Sequence, residues 1–449
     1  MSEPIQRACV IGLGASGSAA ARLLLREGAD VVMFDAADSE ALREKQSSLQ
    51  ALGACVHLGV DHLDGDLGEL IVMSPGVRPD SSLYQAALES GVPMRSELEL
   101  GWSRRTCPVL AVTGSNGKST FAKAAAHILN QNGLQAVLCG NYGPPVCDKV
   151  QCPADWLVIE VSSFQLETVH EFQPEIGVLL NLLPNHLDRH GSMDDYAGAK
   201  SRMFAKSRSG DLCLVEASWL EQVRAWSGGD GQWLSVGDPG VVGVKDGWVC
   251  VRGRRVADIR GTAFDNPMQA TAVAALLRAV RACGVDYTLA ARSLRSFEPL
   301  PHRLQKVSEA DGITFVNDSK ATNLAAMSAA VRERMGRIRL LAGGMAKEND
   351  FSSVKDLLAE RVSAIYLIGQ SAEVMASVWS EDVPCIRCGT LEKAFECAVS
   401  EAEEGDTVLL SPACTSFDQF RNYEERGNRF MELVERFARS AEQGEEMRK

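Results

Sequence analysis

Residues 109–120 constrain the fold of this chain more than any other stretch. Five apolar or β-branched residues, Val109–Thr113, precede the run Gly-Ser-Asn-Gly-Lys-Ser-Thr, and an alanine-rich segment then extends to a glycine at position 133. A strand, a glycine-rich turn and a helix in this order are the context of a phosphate-binding loop. Its glycines let backbone N–H groups converge on phosphate oxygens, and the helix N-terminus adds partial positive charge.

This pattern predicts an ATP or GTP site with Mg²⁺. Lys118 is expected on the β- and γ-phosphates, and the Ser119 or Thr120 hydroxyl on the metal ion. The loop residues expected to hold the nucleotide are Gly114, Ser115, Asn116, Gly117, Lys118, Ser119 and Thr120. Val112 stands where the full pattern has glycine, so a glycine turn that merely opens a helix is the alternative.

Length and composition indicate a large globular protein. A chain of 449 residues is too long for one core and suggests about three domains. A net charge of −13 argues against broad binding to nucleic acid or anionic membranes. No apolar run reaches the length of a membrane span, and residues 1–4 carry no secretory signal. Thirteen cysteines, mostly within apolar runs, favour a reducing cytoplasm.

The first region, residues 1–96, has the pattern of a dinucleotide-binding fold. A strand-like run leads into Gly-Leu-Gly-Ala-Ser-Gly at 12–17, and a second strand ends at Asp35. Another strand, Leu70–Met73, leads into Ser-Pro-Gly at 74–76, a turn at a carboxyl end where ligands bind. NAD and a UDP-sugar are both compatible with these residues.

The central region, residues 97–300, places polar side chains after further strands. Glu160 ends a strand, where a second Mg²⁺ ligand is expected. His186 and His190 are four residues apart and could share a helix face, either near a metal or as a hydrogen-bonded surface pair. Lys200 has, on pattern alone, the features of a solvated helix lysine.

The third region, residues 301–449, again alternates strands and helices. Polar stretches follow three of its strands, at 317–323, 343–347 and 411–420. Because the carboxyl ends of parallel strands share one sheet edge, these stretches should form one site for a small anion. Ser319 and Thr322 are candidates to cap the helix that follows. The expected fold is therefore α/β with three domains: Rossmann-like, P-loop ATPase-like and Rossmann-like.

In order along nearly the whole chain, these motifs resemble those of the Mur ligases. The phosphate loop is shared with the wider Mur and folylpolyglutamate ligase superfamily. Asn-Asp-Ser-Lys-Ala-Thr-Asn at 317–323 and Ser-Pro-Ala-Cys at 411–414, followed by Asp-Gln-Phe at 418–420, resemble the D-glutamate-adding branch. The other stretches that carry the likeness are 12–17, 74–76, Gly140-Asn141, 160–167, 186–190 and 301–303.

The resemblance implies a cytoplasmic, monomeric ligase of peptidoglycan precursor synthesis, and therefore a role in cell wall, cell shape and cell division. ATP would phosphorylate the carboxylate of UDP-N-acetylmuramoyl-L-alanine, and the amine of D-glutamate would attack the acyl phosphate. The implied domains are 1–96 for the uridine diphosphate, 97–300 for ATP and 301–449 for the incoming amino acid.

The resemblance also implies roles for individual residues. Lys118, Glu160, His186 and Lys200 match catalytic positions, and Mg²⁺ would be held by Ser119, Glu160, His186 and a carbamylated Lys200. Asn266, Arg303 and Asp318 match further contacts to ATP. The positions that match substrate contacts are Ala15, Ser16, Asp35, Ser74, Gly76, Asn141, Ser162, Lys320, Thr322, Lys347, Ser416 and Tyr423.

Departures and alternatives remain at this level. Asn185, Gln269, Tyr423 and Ala37 differ from residues common in the family. An NAD(P)-dependent oxidoreductase would leave the phosphate loop unexplained, and a folylpolyglutamate ligase lacks the first domain. A ligase for another amino acid would need a different third-domain motif, and a nucleotide switch would not need a small-anion pocket.

Overall fold

The computed structural model describes residues 5–236, 241–265, 269–333, 336–346 and 350–446, without the side chains of 188, 333 and 441–446. It divides into two compact units, Met1–Phe297 and Glu298–Lys449. Three sheets that are wholly or mainly parallel, each flanked by helices, confirm the predicted α/β class. Among the described residues, no helix combines the length and the apolar character needed to cross a membrane.

The first sheet is parallel throughout, with strand order β3-β2-β1-β4-β5. Its strands are β1 (Arg7–Ile11), β2 (Asp30–Asp35), β3 (Cys55–Leu58), β4 (Leu70–Met73) and β5 (Met94–Ser96). Its helices are α1 (Ala15–Arg26), α2 (Glu40–Ala51), α3 (Ser82–Glu89) and α4 (Glu97–Trp102). Residues 8–11 of β1 are fully buried, because helices cover both faces of a parallel sheet.

The second sheet is also parallel and has the order β11-β10-β9-β6-β8-β7. Its strands are β6 (Val109–Thr113), β7 (Ala136–Gly140), β8 (Trp156–Glu160), β9 (Ile176–Leu179), β10 (Leu212–Glu216) and β11 (Gln232–Val236). The helices in this region are α5 (Lys118–Gln131), α6 (Val146–Lys149), α7 (Ser163–Leu166), α8 (Leu187–His190), α9 (Met193–Ser201), α10 (Leu220–Ser227), α11 (Ala270–Ala282) and α12 (Tyr287–Ser293).

A small antiparallel sheet of β12 (Val242–Lys245), β13 (Trp248–Val251) and β14 (Arg254–Asp258) belongs to the same unit. Asp246 and Gly247 join β12 to β13 with φ values of 52° and 72°. Positive φ at both central residues fits the twist of a two-residue hairpin, and Asp-Gly is a sequence that adopts it readily. The helix after this sheet begins at Ala270, with Gln269 at its N-cap, and Asn266 lies outside the described residues.

The second unit contains the third sheet, with order β15-β16-β20-β17-β18-β19. Its strands are β15 (Gln305–Ala310), β16 (Ile313–Asn317), β17 (Ile338–Gly343), β18 (Val362–Ile368), β19 (Cys385–Gly389) and β20 (Thr407–Leu410). Its helices are α13 (Leu324–Glu333), α14 (Lys355–Arg361), α15 (Ala372–Trp379), α16 (Leu391–Ser400) and α17 (Tyr423–Glu446). Strand β15 pairs antiparallel with β16, and the other strands are parallel.

Candidate functional site

The phosphate loop lies at the carboxyl edge of the second sheet. Strand β6 pairs with β8 on one side and β9 on the other, so the loop lies between Glu160 and the segment after β9. Gly117 is left-handed, with φ 83°, and turns the chain directly into α5 at Lys118. A residue with a Cβ is strained in that conformation, which explains glycine at this position.

Asn181, which follows β9, fixes the shape of the loop. Its Oδ1 accepts hydrogen bonds from the backbone N–H groups of Ser115 (3.1 Å) and Asn116 (2.9 Å), and its Nδ2 donates to Asn116 O (3.2 Å). The Asn116 Nδ2 atom is buried and has no hydrogen-bond partner among the described residues. A buried donor of this kind fits a bound anion, since leaving it unpaired costs free energy.

Lys118 folds back over its own loop. Its Nζ donates to Gly114 O at 2.8 Å and to Ser115 O at 2.9 Å. The ammonium group is thereby kept at the mouth of the loop, where a triphosphate would meet it. The predicted phosphate contact requires the side chain to exchange these carbonyl oxygens for phosphate oxygens.

Lys200 is not the solvated helix lysine that its local pattern indicated. Its side chain is 1% exposed, and Nζ donates to Thr113 Oγ1 at 3.0 Å and Gly114 O at 3.2 Å. Burial and the charge of Lys118 lower the pKa of Lys200 well below its usual value, while Glu160 opposes that shift. A neutral amine is the form that reacts with carbon dioxide, so a lowered pKa is what a carbamate at Lys200 would require.

Glu160 has one bonded oxygen and one unbonded oxygen. Oε1 accepts from Asn141 Nδ2 at 2.7 Å, whereas Oε2 is buried without a hydrogen-bond partner among the described residues. Magnesium takes oxygen ligands and is commonly held by one or two carboxylates plus substrate phosphates. The described residues contain no cluster of three or more His, Cys, Asp or Glu side chains.

His186 and His190 do not share a helix face. His186 precedes α8 in a left-handed conformation with φ 57°, and only His190 lies in the helix. Both imidazole rings contact Phe164, with centroid distances of 4.8 and 5.6 Å. His190 Nε2 lies 2.9 Å from Ser163 Oγ and its side chain is 5% exposed, whereas His186 is half-buried.

At the first sheet, the glycine-rich turn and turn 74–76 pack against each other. Ser74 Oγ donates to Gly12 O at 3.0 Å, and a Cβ added to Gly12 would lie 2.9 Å from Ser74 Cβ. Asp35 Oδ2 accepts from Leu13 N at 2.7 Å, and its Oδ1 accepts from Ala37 N at 2.9 Å. Asp35 therefore orders two backbone turns at the edge where it was predicted to meet a ligand.

The N-terminus of α1 is available to an anion. Gly14 is its N-cap and supplies no side-chain hydrogen bond, and Ala15 at the first helical position is exposed. Uncapped N–H groups and the helix dipole favour a phosphate at such a position. Ser16 is half-buried beside it, and Gly76 is exposed in the neighbouring turn. Ser162 forms a capping box with Gln165 at the start of α7.

In the second unit, the three predicted strand exits come together. Strands β16, β20 and β17 are adjacent and parallel. Ser411 Oγ, after β20, donates to Asp318 Oδ2 after β16 at 2.8 Å. Met345, after β17, and Thr415 exchange backbone hydrogen bonds of 2.9 Å. The polar stretches at 317–323, 343–346 and 411–416 thus share one edge of the sheet.

The expected amino-acid contacts lie on this edge as far as the structure describes them. Lys320 Nζ lies 5.0 Å from the centroid of the Tyr423 ring, Ser416 is buried and Thr322 is half-buried. Asp318 Oδ1 accepts from Leu304 N at 3.1 Å, which brings the segment containing Arg303 to the same edge. Lys347 lies outside the described residues.

The capping roles predicted for Ser319 and Thr322 are wrong. Asn323 Oδ1 accepts from Ala326 N at 2.8 Å in the first turn of α13. Ser319 Oγ instead donates to Tyr423 O at 2.8 Å and accepts from Arg426 Nε at 3.0 Å. Arg426 is fully buried, and burial lowers its pKa to about 10.

Several residues of these edges were not singled out from the sequence. Asn181 follows a strand next to β6, so the strand-exit argument could have found it. Thr113 ends β6 but reads as one more strand residue. Tyr196, whose hydroxyl lies 3.1 Å from Ser115 Oγ, and Arg426 carry no local signal.

Comparison with known proteins gives matches along most of the chain. Residues 6–96 match the family described as "Mur ligase MurD-like, N-terminal domain", 112–232 the Mur ligase middle domain and 302–414 the "Mur ligase, glutamate ligase domain". A protein of Acidobacterium capsulatum named UDP-N-acetylmuramoylalanine–D-glutamate ligase is 38% identical over 443 residues, covering 96% of each chain. Its namesake from Gloeobacter violaceus is 37% identical over 437 residues, covering 95% of this chain and 98% of that protein.

Solved structures share the fold. The MurF ligase of Thermotoga maritima in complex with ADP is similar with a TM-score of 0.61 at 17% identity, over 98% of this chain and 100% of that one. UDP-N-acetylmuramate–alanine ligase MurC of the same organism gives a TM-score of 0.58 at 17% identity, over 97% and 100%. The FolC structure from E. coli covers only 75% of this chain, with a TM-score of 0.56 at 18% identity over 92% of its own length.

Proposed function

The chain belongs to the Mur ligase family, and we propose that it joins D-glutamate to UDP-N-acetylmuramoyl-L-alanine in an ATP-dependent reaction of peptidoglycan precursor synthesis. The observation that carries this proposal is the edge of the second sheet. There a phosphate loop, the unbonded Oε2 of Glu160 and the buried amine of Lys200 belong to adjacent segments. This arrangement suits the transfer of a phosphoryl group to a carboxylate.

The chemistry consists of two exchanges at one carboxyl group. A carboxylate oxygen of the L-alanine residue attacks the γ-phosphorus of ATP, and ADP leaves. The D-glutamate nitrogen then attacks the acyl carbon, loses a proton, and the tetrahedral intermediate collapses to an amide and inorganic phosphate. ATP, the substrate carboxylate and D-glutamate are all anionic, so nearby cations must offset the repulsion between them.

Within this scheme, residues of the first unit bind the phosphates. The loop N–H groups, the Asn116 amide and Lys118 would hold the triphosphate, and Ser119, Glu160 and His186 would hold Mg²⁺. The metal ion would supply charge neutralisation of the phosphates. Asn141 keeps Glu160 oriented through its 2.7 Å hydrogen bond. Asn266 is assigned to ATP by the family resemblance alone.

The uridine diphosphate end of the sugar substrate is assigned to the edge of the first sheet. The uncapped N-terminus of α1 at Ala15 and Ser16 suits the diphosphate. Asp35 and Ser74 hydrogen-bond to the turn that leads into α1, and we assign them and Gly76 to the same substrate. We assign Asn141 and Ser162 to the sugar-peptide end. The first region is therefore 1–96, the ATP-binding region 97–300 and the region for the amino acid 301–449.

D-glutamate is assigned to the edge of the third sheet. Lys320 and Lys347 would pair with its two carboxylates, and Thr322, Ser416 and Tyr423 would complete its contacts. Arg303 and Asp318 are assigned to the nucleotide. We place the reaction in the cytoplasm, carried out by a monomer, and the described cysteines, which form no disulfide, accord with a reducing compartment.

The carbamate proposed on Lys200 has its own test. Carbon dioxide added to the neutral amine, with loss of one N–H proton, would give an anionic carbamate whose charge acts together with that of Glu160, and Mg²⁺ would then offset both charges. Protein equilibrated with ¹³C-labelled bicarbonate should show a carbamate carbon signal by NMR that is absent in Lys200→Met. Lys206→Met, which removes an exposed lysine paired with Glu171, should keep the signal.

The proposed activity is tested by phosphate release from ATP and Mg²⁺ with UDP-N-acetylmuramoyl-L-alanine. D-glutamate should be required, and L-glutamate, lysine and diaminopimelate should not replace it. Release with another of these amino acids would keep the mechanism and change the substrate. No release with any of them would contradict the proposal and reopen the nucleotide-switch and oxidoreductase alternatives.

A further inference from the structure

Arg189 joins the first sheet to the second within the Met1–Phe297 unit. Its Nη1 donates to Pro75 O at 3.0 Å and its Nη2 to Val77 O at 3.2 Å. These two carbonyls flank Gly76, the exposed residue of turn 74–76. Arg189 lies in α8, three residues after His186.

The same guanidinium group is locked on its other side. Nε and Nη2 donate to the two carboxylate oxygens of Glu167 at 3.0 and 2.5 Å, and the group stacks 4.2 Å from the centroid of the Phe164 ring. Only 8% of the Arg189 side chain and 16% of the Glu167 side chain are exposed. A planar fork with this many fixed partners has one orientation, which a lysine cannot reproduce.

Phe164 extends this contact to the histidines. Its ring lies edge-on to His186, at 4.8 Å between centroids, and near-parallel to His190, at 5.6 Å. Arg189 therefore ties turn 74–76 to the side chains that hold His186. From within its own sheet the turn is held by Ser74, through Ser74 N to Ile11 O and Ser74 Oγ to Gly12 O, and those contacts leave the Pro75 and Val77 carbonyls to Arg189.

We propose that Arg189 is a positioning residue for the sugar nucleotide. It fixes turn 74–76 against Phe164 and His186, so that a substrate bound at the first sheet presents its carboxylate to the phosphate loop. This inference rests on the proposed function, because it assigns turn 74–76 to the UDP-linked substrate. Small misplacement of a reacting group costs about 100-fold in rate, so such an anchor matters even without touching the substrate.

The test compares Arg189→Lys with Arg22→Lys. Arg22 also forms a bidentate ion pair, with Asp148 (2.7–3.1 Å), that joins α1 to α6. In Arg189→Lys we expect KM for UDP-N-acetylmuramoyl-L-alanine to rise about tenfold or more and kcat to fall by up to about 100-fold, with KM for ATP within about twofold of wild type. Arg22→Lys should leave all three constants within about twofold.

A second variant guards against a loss of folding. Glu167→Gln keeps an oxygen acceptor and the Arg189 contacts to Pro75 and Val77, and should raise KM for the sugar nucleotide by about two- to fivefold. Calorimetric titration with UDP-N-acetylmuramoyl-L-alanine separates the two proposals. Failure of the wild-type protein to bind it would overturn the proposed function and this inference together. Wild-type binding that Arg189→Lys matches within about twofold would overturn this inference alone.

Discussion

Glu160 and Glu97 are two buried carboxyl groups that look alike one at a time. In each, one oxygen is hydrogen-bonded and Oε2 is buried without a hydrogen-bond partner among the described residues. Glu160 Oε1 accepts from Asn141 Nδ2, and Glu97 Oε1 accepts from Cys147 N, both at 2.7 Å. Glu160 is 2% exposed and Glu97 is 1% exposed.

Their surroundings separate them. Glu97 begins α4, which packs against α6, and there burial raises its pKa to about 7. Glu160 ends a strand beside the phosphate loop, and its charge acts on Lys200, which also feels Lys118. An unbonded buried oxygen therefore does not define a metal site. The nearby cations and the backbone donors of the phosphate loop distinguish Glu160, and on them we base its proposed role at a metal shared with a nucleotide.

The largest effect is expected from removing the charge of Lys118, a cation of the phosphate loop beside Glu160. Lys118→Ala should lower kcat for phosphate release by about 10³-fold, or about 4 kcal/mol, because the loop loses its positive charge. Lys123→Ala, further along α5, is the control and should stay within about twofold of wild type. Equal losses in both variants would mean that helix α5, and not the loop charge, had been disturbed.

The next effect distinguishes the two acids directly. Glu160→Gln preserves side-chain volume and an oxygen for Asn141, yet should lower kcat by about several hundred-fold and raise the Mg²⁺ concentration needed for half-maximal rate. Glu97→Gln, assayed in parallel, should keep kcat within about twofold. A Mg²⁺ requirement unchanged in Glu160→Gln would remove Glu160 from the metal site.

The sequence could predict one side of this comparison and not the other. The phosphate loop, Glu160 and the strand exits at Asp318 and Ser411 follow from a local rule: polar residues after parallel strands share an edge. Those exits do meet, as the Ser411–Asp318 hydrogen bond demonstrates.

Burial of single charged groups has no such rule. Lys200 lies in a short helix with no apolar periodicity to mark its inward face, and its partner Thr113 is 87 residues away in sequence. The contact of Glu97 with Cys147 spans 50 residues, and that of Arg189 with Pro75 spans 114. Helix capping at 319–323 was misjudged because Ser319, Thr322 and Asn323 are all good caps. Arg426, from a helix far along the chain, engages Ser319.

A smaller effect is expected on the free energy of unfolding, which should depend on pH because of Glu97. Its folded pKa of about 7 exceeds the ordinary value of 4.5, so the folded protein binds the extra proton between these pH values. Stability should fall as pH rises from about 4.5 to about 7 and then level off. Glu97→Gln should therefore be more stable than wild type by about 3 kcal/mol above pH 7, since the pKa difference of about 2.5 corresponds to that free energy.

Urea unfolding across this pH range measures the difference. The gain in stability should vanish below about pH 4.5, where Glu97 of the wild type is protonated in both the folded and the unfolded protein. Glu99→Gln is the matched control, because Glu99 accepts from His170 N and Glu171 N at 2.8 and 2.5 Å. That variant should be destabilised by about 1–3 kcal/mol. A Glu97→Gln gain that does not depend on pH would contradict the assigned protonation.

The lowered pKa of Lys200 makes stability depend on pH in the opposite direction to that expected for Glu97. Its folded pKa is lowered, so the unfolded chain binds the extra proton and stability should rise as pH increases towards the ordinary value of 10.5. Lys200→Met removes this penalty. Its advantage over wild type should therefore shrink with increasing pH, by at most about 1.4 kcal/mol per pH unit for one proton.

The measurement is urea unfolding in carbon-dioxide-free buffer without Mg²⁺. Lys206→Met is the control, and its difference in stability from wild type should not change with pH. A difference in stability between Lys200→Met and wild type that stays constant with pH would mean that Lys200 is protonated in the folded protein. The amine would then be unavailable to carbon dioxide, and Glu160 would face a cation rather than a second anion.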